Sequence, residues 1–98
     1  MRLSAETNHL LREMASLHGP SFYVLWDERL SSNFRRLNSA FRSEYPRTKI
    51  AYSYKTNYLP ALCKALHKAG ALAEVVSDME WQMARLYGVP PSMVVYNG

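Results

Sequence analysis

Lys49-Ile50-Ala51-Tyr52-Ser53-Tyr54 alternates larger apolar side chains with smaller or polar ones, the period of two expected of a β-strand. A turn follows through Lys55-Thr56-Asn57. Pro60 then suits the first turn of a helix whose buried stripe is Leu59, Leu62, Cys63 and Leu66. Gly70, tolerant of positive φ, ends that helix, and Ala73-Glu74-Val75-Val76 reads as a second short strand. Two strands joined by one helix imply a crossover connection and a parallel sheet, so this unit decides the fold class as α/β.

The pattern repeats outward. Downstream, Ser77-Asp78-Met79-Glu80 has the form of a capping box, in which the Ser77 hydroxyl and the Glu80 carboxylate satisfy free amides reciprocally. The helix it opens stops at Gly88 before Pro90-Pro91, and Met93-Val94-Val95-Tyr96 reads as a further strand. Upstream, Leu30, Phe34, Leu37 and Phe41 form the apolar stripe of a helix with Asp27 as its N-cap, ending near Glu44 because Pro46 restricts what precedes it. Ser21 to Trp26 is aromatic and β-branched and reads as a strand. Before it, Leu10, Leu11, Met14 and Leu17 mark a helix from Ser4 that Gly19-Pro20 stops. A strand with no covering helix at the end of the chain leads us to expect the N-terminal part of a larger α/β protein.

Composition narrows the class. The 98 residues carry 12 Lys+Arg and 8 Asp+Glu, and 48% are hydrophobic, which suits one domain with a core and excludes a disordered tail, a collagenous repeat or a coiled-coil rod. No apolar run approaches the ~18 residues of a membrane span, and the opening residues do not resemble a secretory signal, so a cytoplasmic protein is expected. Cys63 is the single cysteine and cannot form an internal disulfide, and His9, His18 and His67 show no metal-ligand spacing. Arg29, Arg35, Arg36 and Arg42 lie off the apolar stripe of their helix without interleaved aromatics, so they read as a solvated face and not as a nucleic-acid footprint.

Lys55 stands where a strand gives way to a loop, the end at which α/β sheets place their active sites. Alternation puts Lys49, Ala51, Ser53 and Lys55 on one face and Ile50, Tyr52 and Tyr54 on the other. If the tyrosine face meets the helices, Ala51 and Ser53 leave a space beneath the Lys55 amine for a flat ligand. A lysine of lowered pKa can act as a nucleophile, although a solvated strand-end lysine is the commoner case on position alone.

The string Ile50-Ala51-Tyr52-Ser53-Tyr54-Lys55-Thr56-Asn57 resembles the cofactor-lysine motif of the fold-type III pyridoxal-phosphate-dependent decarboxylases, the ornithine, diaminopimelate and arginine decarboxylase group. Gly19-Pro20-Ser21-Phe22-Tyr23-Val24 with Asp27, Arg29 and Leu30 is similar to the family's entry into its barrel. Gly70, Glu74-Val75-Val76-Ser77 and Glu80 match its second strand, and Gly88-Val89-Pro90-Pro91 with Val94-Val95-Tyr96-Asn97-Gly98 the next turn and strand. The likeness covers nearly the whole chain in order.

That resemblance implies the start of a parallel (β/α)8 barrel of the alanine-racemase-like type over residues 27–98, with residues 1–26 joining a separate β-domain. It implies Lys55 as the Schiff-base lysine for pyridoxal phosphate, an electron sink when a bond to the substrate α-carbon breaks. Ala51 falls where the family keeps a small residue beneath the cofactor. Glu74 takes the place of a family aspartate near the cofactor, and Glu80 that of a glutamate in the same pocket. Glu74 could alternatively pair with a barrel cation, and Glu80 could serve the capping box alone or as well.

Glu74 for aspartate, Leu72 for a frequent glycine, Asp78-Met79 for Gly-Gly and the bulk of Tyr54 depart from the family pattern and bear on the substrate. The expected activity is decarboxylation of an amino acid such as diaminopimelate, ornithine or arginine, in a homodimer. The other readings are a racemase or eliminase of the same fold, a non-catalytic regulatory homologue, or a small basic binding module.

Overall fold

The structure is a computed structural model and describes residues 2–98. Helix α1 spans Ala5–His18; the Ser4 hydroxyl caps it by accepting from the Thr7 amide at 3.1 Å, and Gly19 closes it. None of its residues is buried, and its stripe residues Leu10, Met14 and Leu17 are exposed. The radius of gyration of 16.1 Å exceeds the ~13 Å usual for a domain of this size, as an unpacked first helix requires.

Residues 20–26 form no strand, which corrects the reading of Ser21 to Trp26. Their composition suits an extended chain, but a strand exists through ladder bonds to a neighbour, and no strand among the described residues pairs with them. Helix α2 spans Asp27–Glu44. Asp27 is its first residue and not its cap, because the Trp26 carbonyl already accepts from the Leu30 amide at 2.9 Å. Asp27 and Glu28 instead place acidic charge in the first turn, where the helix dipole favours it. Only the first half of the α2 stripe packs: Phe34 is buried and Leu30 partly so, while Leu37 and Phe41 remain half exposed.

Three short parallel strands, β1 (Ala51–Ser53), β2 (Leu72–Val75) and β3 (Val94–Tyr96), lie in the order β1-β2-β3. In register, Ser53 faces Glu74, which faces Val95. Pairing of β1 reaches one residue further at each end, since Leu72 donates to the Ile50 carbonyl and Tyr54 to that of Glu74. Met93, expected in the third of these strands, belongs instead to a 3-10 turn over Pro91–Met93.

Helices α3 (Pro60–Lys68) and α4 (Asp78–Leu86) connect the strands. Both end in the same way: Gly70 and Gly88 adopt φ of 113° and 82°, and the next amides, of Ala71 and Val89, return to the carbonyls of Leu66 and Ala84 at 3.0 Å. This closure satisfies the free carbonyls and turns the chain straight into the next strand region. It also brings Ala71 against Leu66 and Val89 against Ala84 in the core.

The main core lies between the sheet and α3 and α4, where Tyr54, Cys63, Ala73, Val75, Ala84 and Val89 are buried together. A second cluster of Phe34, Leu66 and Ala71 seats α2 on α3. The result is an α/β layer with a parallel sheet, as the alternation of elements implies. Both connecting helices cover the face carrying Tyr52, Tyr54, Ala73 and Val75, so the face carrying Ala51, Ser53, Leu72 and Glu74 has no helix over it.

Candidate active site

The uncovered face brings three of the expected residues together. Ala51 and Ser53 project from β1, and Glu74 from β2 directly beside Ser53, because in-register residues of a parallel pair share a face. The Ser53 hydroxyl donates to Glu74 Oε1 at 3.3 Å, so the carboxylate is oriented by its neighbour and not by a lysine or arginine. Lys55 is exposed and lies two residues beyond Ser53, in the turn at the C-terminal end of β1. The strip leading to it carries only a methyl and a hydroxymethyl group. Lys55 borders a hollow with Tyr58, Pro60 and Met83, whereas Ala51 and Ser53 border a separate one with Phe34 and Leu37.

Glu80 has a different setting. It is 3% exposed; its Oε2 accepts from the Val76 amide at 2.6 Å, while its own amide donates to the Ser77 hydroxyl at 3.2 Å. The expected capping box therefore forms with one change, the carboxylate reaching the amide of Val76 in place of that of Ser77. As the third residue of α4, Glu80 also places negative charge where the helix dipole and the free amides stabilise it. It closes the turn from β2 into α4.

Two phenols, one on β1 and one at the end of α4, hold the loop after Lys55. Thr56 donates to the Ser53 carbonyl at 3.1 Å, closing the turn. The Tyr52 hydroxyl donates to the Asn57 carbonyl at 2.9 Å, and the Tyr87 hydroxyl, from the end of α4, to the Tyr58 carbonyl at 3.1 Å. Asn57 Oδ1 accepts from the Leu59 amide at 3.0 Å, setting the entry to α3. An asparagine shortly before a helix-starting proline signals that last bond. The Tyr87 contact joins positions far apart in sequence and has no local signal.

Tyr54 packs between these two phenols, its ring centre 6.3 Å from that of Tyr52 and 6.0 Å from that of Tyr87. It is 1% exposed and its hydroxyl has no hydrogen-bond partner. Burial first, then the neighbouring Cys63 and Tyr87, push its phenol well above the ordinary tyrosine range. Burial, with the charge of Glu80 second, likewise raises the Cys63 thiol to about 11, so Cys63 is a core residue and no nucleophile. Among the described residues no cluster of His, Cys, Asp and Glu could hold a metal, and no helix is long and apolar enough to cross a membrane.

Residues 31–98 match the family described as pyridoxal-dependent decarboxylase, pyridoxal binding domain. The chain is 38% identical to the diaminopimelate decarboxylase of Aquifex aeolicus over 89 residues, which cover 90% of this chain and 20% of that protein. It is 36% identical to the diaminopimelate decarboxylase of Methanocaldococcus jannaschii, over 88% of this chain and 20% of that protein. The enzyme of the same name from Methanothermobacter thermautotrophicus is 34% identical, with the same two shares covered. The chain thus spans about one fifth of the length of these relatives. No solved structure matches it significantly. The cofactor that goes with the matched domain is pyridoxal phosphate, and the exposed amine of Lys55 is a group with which its aldehyde can condense. By the match over residues 31–98 and these identities, the chain belongs to the pyridoxal-dependent decarboxylases, as part of their pyridoxal binding domain.

Proposed function

We propose that this chain forms the first part of a pyridoxal-phosphate-dependent amino-acid decarboxylase, with Lys55 as the residue that holds the cofactor. The observation that carries the reading is Lys55 exposed in the turn that directly follows β1, next to the strand end where Ser53 holds Glu74. Bound there, the cofactor supplies an electron sink for the carbanion left when the substrate carboxyl departs. In this proposal Ala51 leaves room for the ring, and Ser53 fixes the carboxylate of Glu74 near the cofactor end of the strand. Glu80 acts from the turn, adding negative charge at the same end of the sheet while holding the Val76 amide.

The proposed architecture follows from the family resemblance. Residues 27–98 are the opening βα units of a (β/α)8 barrel whose interior is the uncovered face, and residues 1–26 join a second, β-rich domain. The unpaired segment 20–26 and the unburied α1 suit a region that finds its partners elsewhere in the protein. The relatives named above favour diaminopimelate as the substrate, the family resemblance favours a homodimer as the working form, and a cytoplasmic location is part of the same proposal.

The test is made on the full-length protein. Incubated with pyridoxal phosphate it should gain a visible absorption band, borohydride should fix a pyridoxyl group on the peptide containing Lys55, and diaminopimelate should release carbon dioxide. Lys55→Ala should lose the label and at least about a thousandfold in turnover, the scale set by removing a covalent catalytic group. Retention of label and turnover in that variant would overturn the assignment.

A further inference from the structure

We infer that Tyr87 is a positioning residue for Lys55, acting through the backbone of the Lys55–Leu59 loop; the inference rests on the cofactor reading of Lys55. The loop runs from the end of β1 to Pro60 with its turn fixed on one side by the Thr56 to Ser53 bond. On the other side its carbonyls at Asn57 and Tyr58 are each held by a phenol. The Tyr52 phenol comes from β1 itself, so it moves with the strand. The Tyr87 phenol comes from the far end of α4, 29 residues on in sequence, and ties the lysine loop to the next βα unit.

Several features make this tie specific. Tyr87 is anchored at the α4 C-terminus, where its amide donates to the Met83 carbonyl at 2.9 Å and Gly88 closes the helix. Its ring leans on that of Tyr54, the residue immediately before Lys55, at 6.0 Å. Tyr87 therefore touches the lysine segment on both sides, by its ring at position 54 and by its hydroxyl at position 58. Burial and the neighbouring Cys63 raise both the Tyr52 and Tyr87 phenols above their ordinary range, so each remains a protonated donor at neutral pH. Three tyrosines thus line the back of the loop, and only the middle one, Tyr54, has a hydroxyl with no partner.

A lysine that holds a cofactor must keep its amine in a fixed direction, because small misplacements of a reacting group cost rate out of proportion to stability. The bond from Tyr87 spans an exposed carbonyl, which water can satisfy when the phenol is removed, so the fold should tolerate its loss. The loop should then wander.

The experiment compares Tyr87→Phe with Tyr54→Phe in the full-length holoenzyme. Tyr87→Phe should keep the urea midpoint of the native protein and still take up pyridoxal phosphate. The circular dichroism induced in the cofactor's visible band should fall, and kcat should drop on the order of tenfold, as expected for a misplaced reacting group. KM should stay within about twofold, the pattern of a lost orienting contact. Tyr54→Phe, which removes a hydroxyl that bonds to nothing, should leave both signals unchanged.

Tyr52→Phe frees the other carbonyl and should reproduce the loss of dichroism and kcat, which keeps the inference testable if Tyr87→Phe does not fold. Wild-type levels of dichroism and kcat in a folded Tyr87→Phe, or in Tyr52→Phe where Tyr87→Phe does not fold, overturn the positioning role and leave the cofactor reading standing. A wild-type protein that takes no label at Lys55 overturns both.

Discussion

The two faces of the same sheet are built from different side chains. Toward α3 and α4 the strands present Tyr52, Tyr54, Ala73 and Val75, packed with Cys63, Ala84 and Val89. On the other side they present Ala51, Ser53, Leu72 and Glu74, which bury little within this chain. Neighbouring residues on one strand therefore answer to separate demands. The covered face carries the stability, since apolar burial contributes about 25 cal/mol per Å². The other is free to keep small and polar groups at the end where Lys55 stands.

The sharpest way to break this contrast is a pair of substitutions at adjacent positions on β2. Val75→Asp puts a carboxylate into a site with 0% exposure and no cation beside it, and should cost about 3–5 kcal/mol, enough to unfold a marginal domain. Glu74→Gln, one residue earlier and on the opposite face, should change stability by under about 1 kcal/mol while reducing turnover. Urea denaturation of the full-length protein measures both. Equal costs would mean that the two faces do not divide their roles.

Cys63 sharpens the covered side through pH. Its thiol lies at about 11 in the folded protein against an ordinary 9.0, so the folded state favours the neutral form. The associated stability is complete below pH 9 and is lost as pH rises through 11. At pH 8 the native thiol should alkylate at least about a hundredfold more slowly than a free cysteine, because so little of it is thiolate. Alkylation at the free rate would show that the core over β1 opens readily.

A smaller effect than that at Val75 is expected from bulk added to the uncovered face. Ala51→Leu should leave the fold intact but add bulk to the uncovered face beside the Ser53–Glu74 pair, lowering pyridoxal phosphate affinity on the order of tenfold, about 1.4 kcal/mol. Cofactor titration followed in the visible band reads it. Unchanged affinity would place the ring elsewhere.

What was legible in the sequence was whatever local chemistry fixes. Ser77, Pro46, Gly70 and Gly88 marked helix ends because caps, proline restriction and positive φ act within a few residues. The period of two in β1 separated Ala51 and Ser53 from Tyr52 and Tyr54, and with them the lining of the candidate site from its support. The apolar stripes of α1 and α2 were also visible, but a stripe does not say what covers it, and Leu17, Leu37 and Phe41 stay largely open. Residues 21–26 had strand composition without a strand partner. The Ser77 box formed with the neighbouring amide of Val76, a one-residue choice that the motif leaves free. The Tyr87 clasp and the partnerless Tyr54 hydroxyl depend on packing between distant elements, which no periodicity encodes.

The order β1-β2-β3 in space repeats the order in the chain. Each strand lies beside the one made just before it, across a single short helix, so no pairing has to wait for a distant segment. A ribosome delivering these residues from the N-terminal end would release every strand next to a template already in place. Loop closure stays inexpensive at each step, which favours fast vectorial assembly over a search among strand pairings. The Lys55 turn would then be shaped early, while its clasp from Tyr87 locks only after the second crossover has emerged.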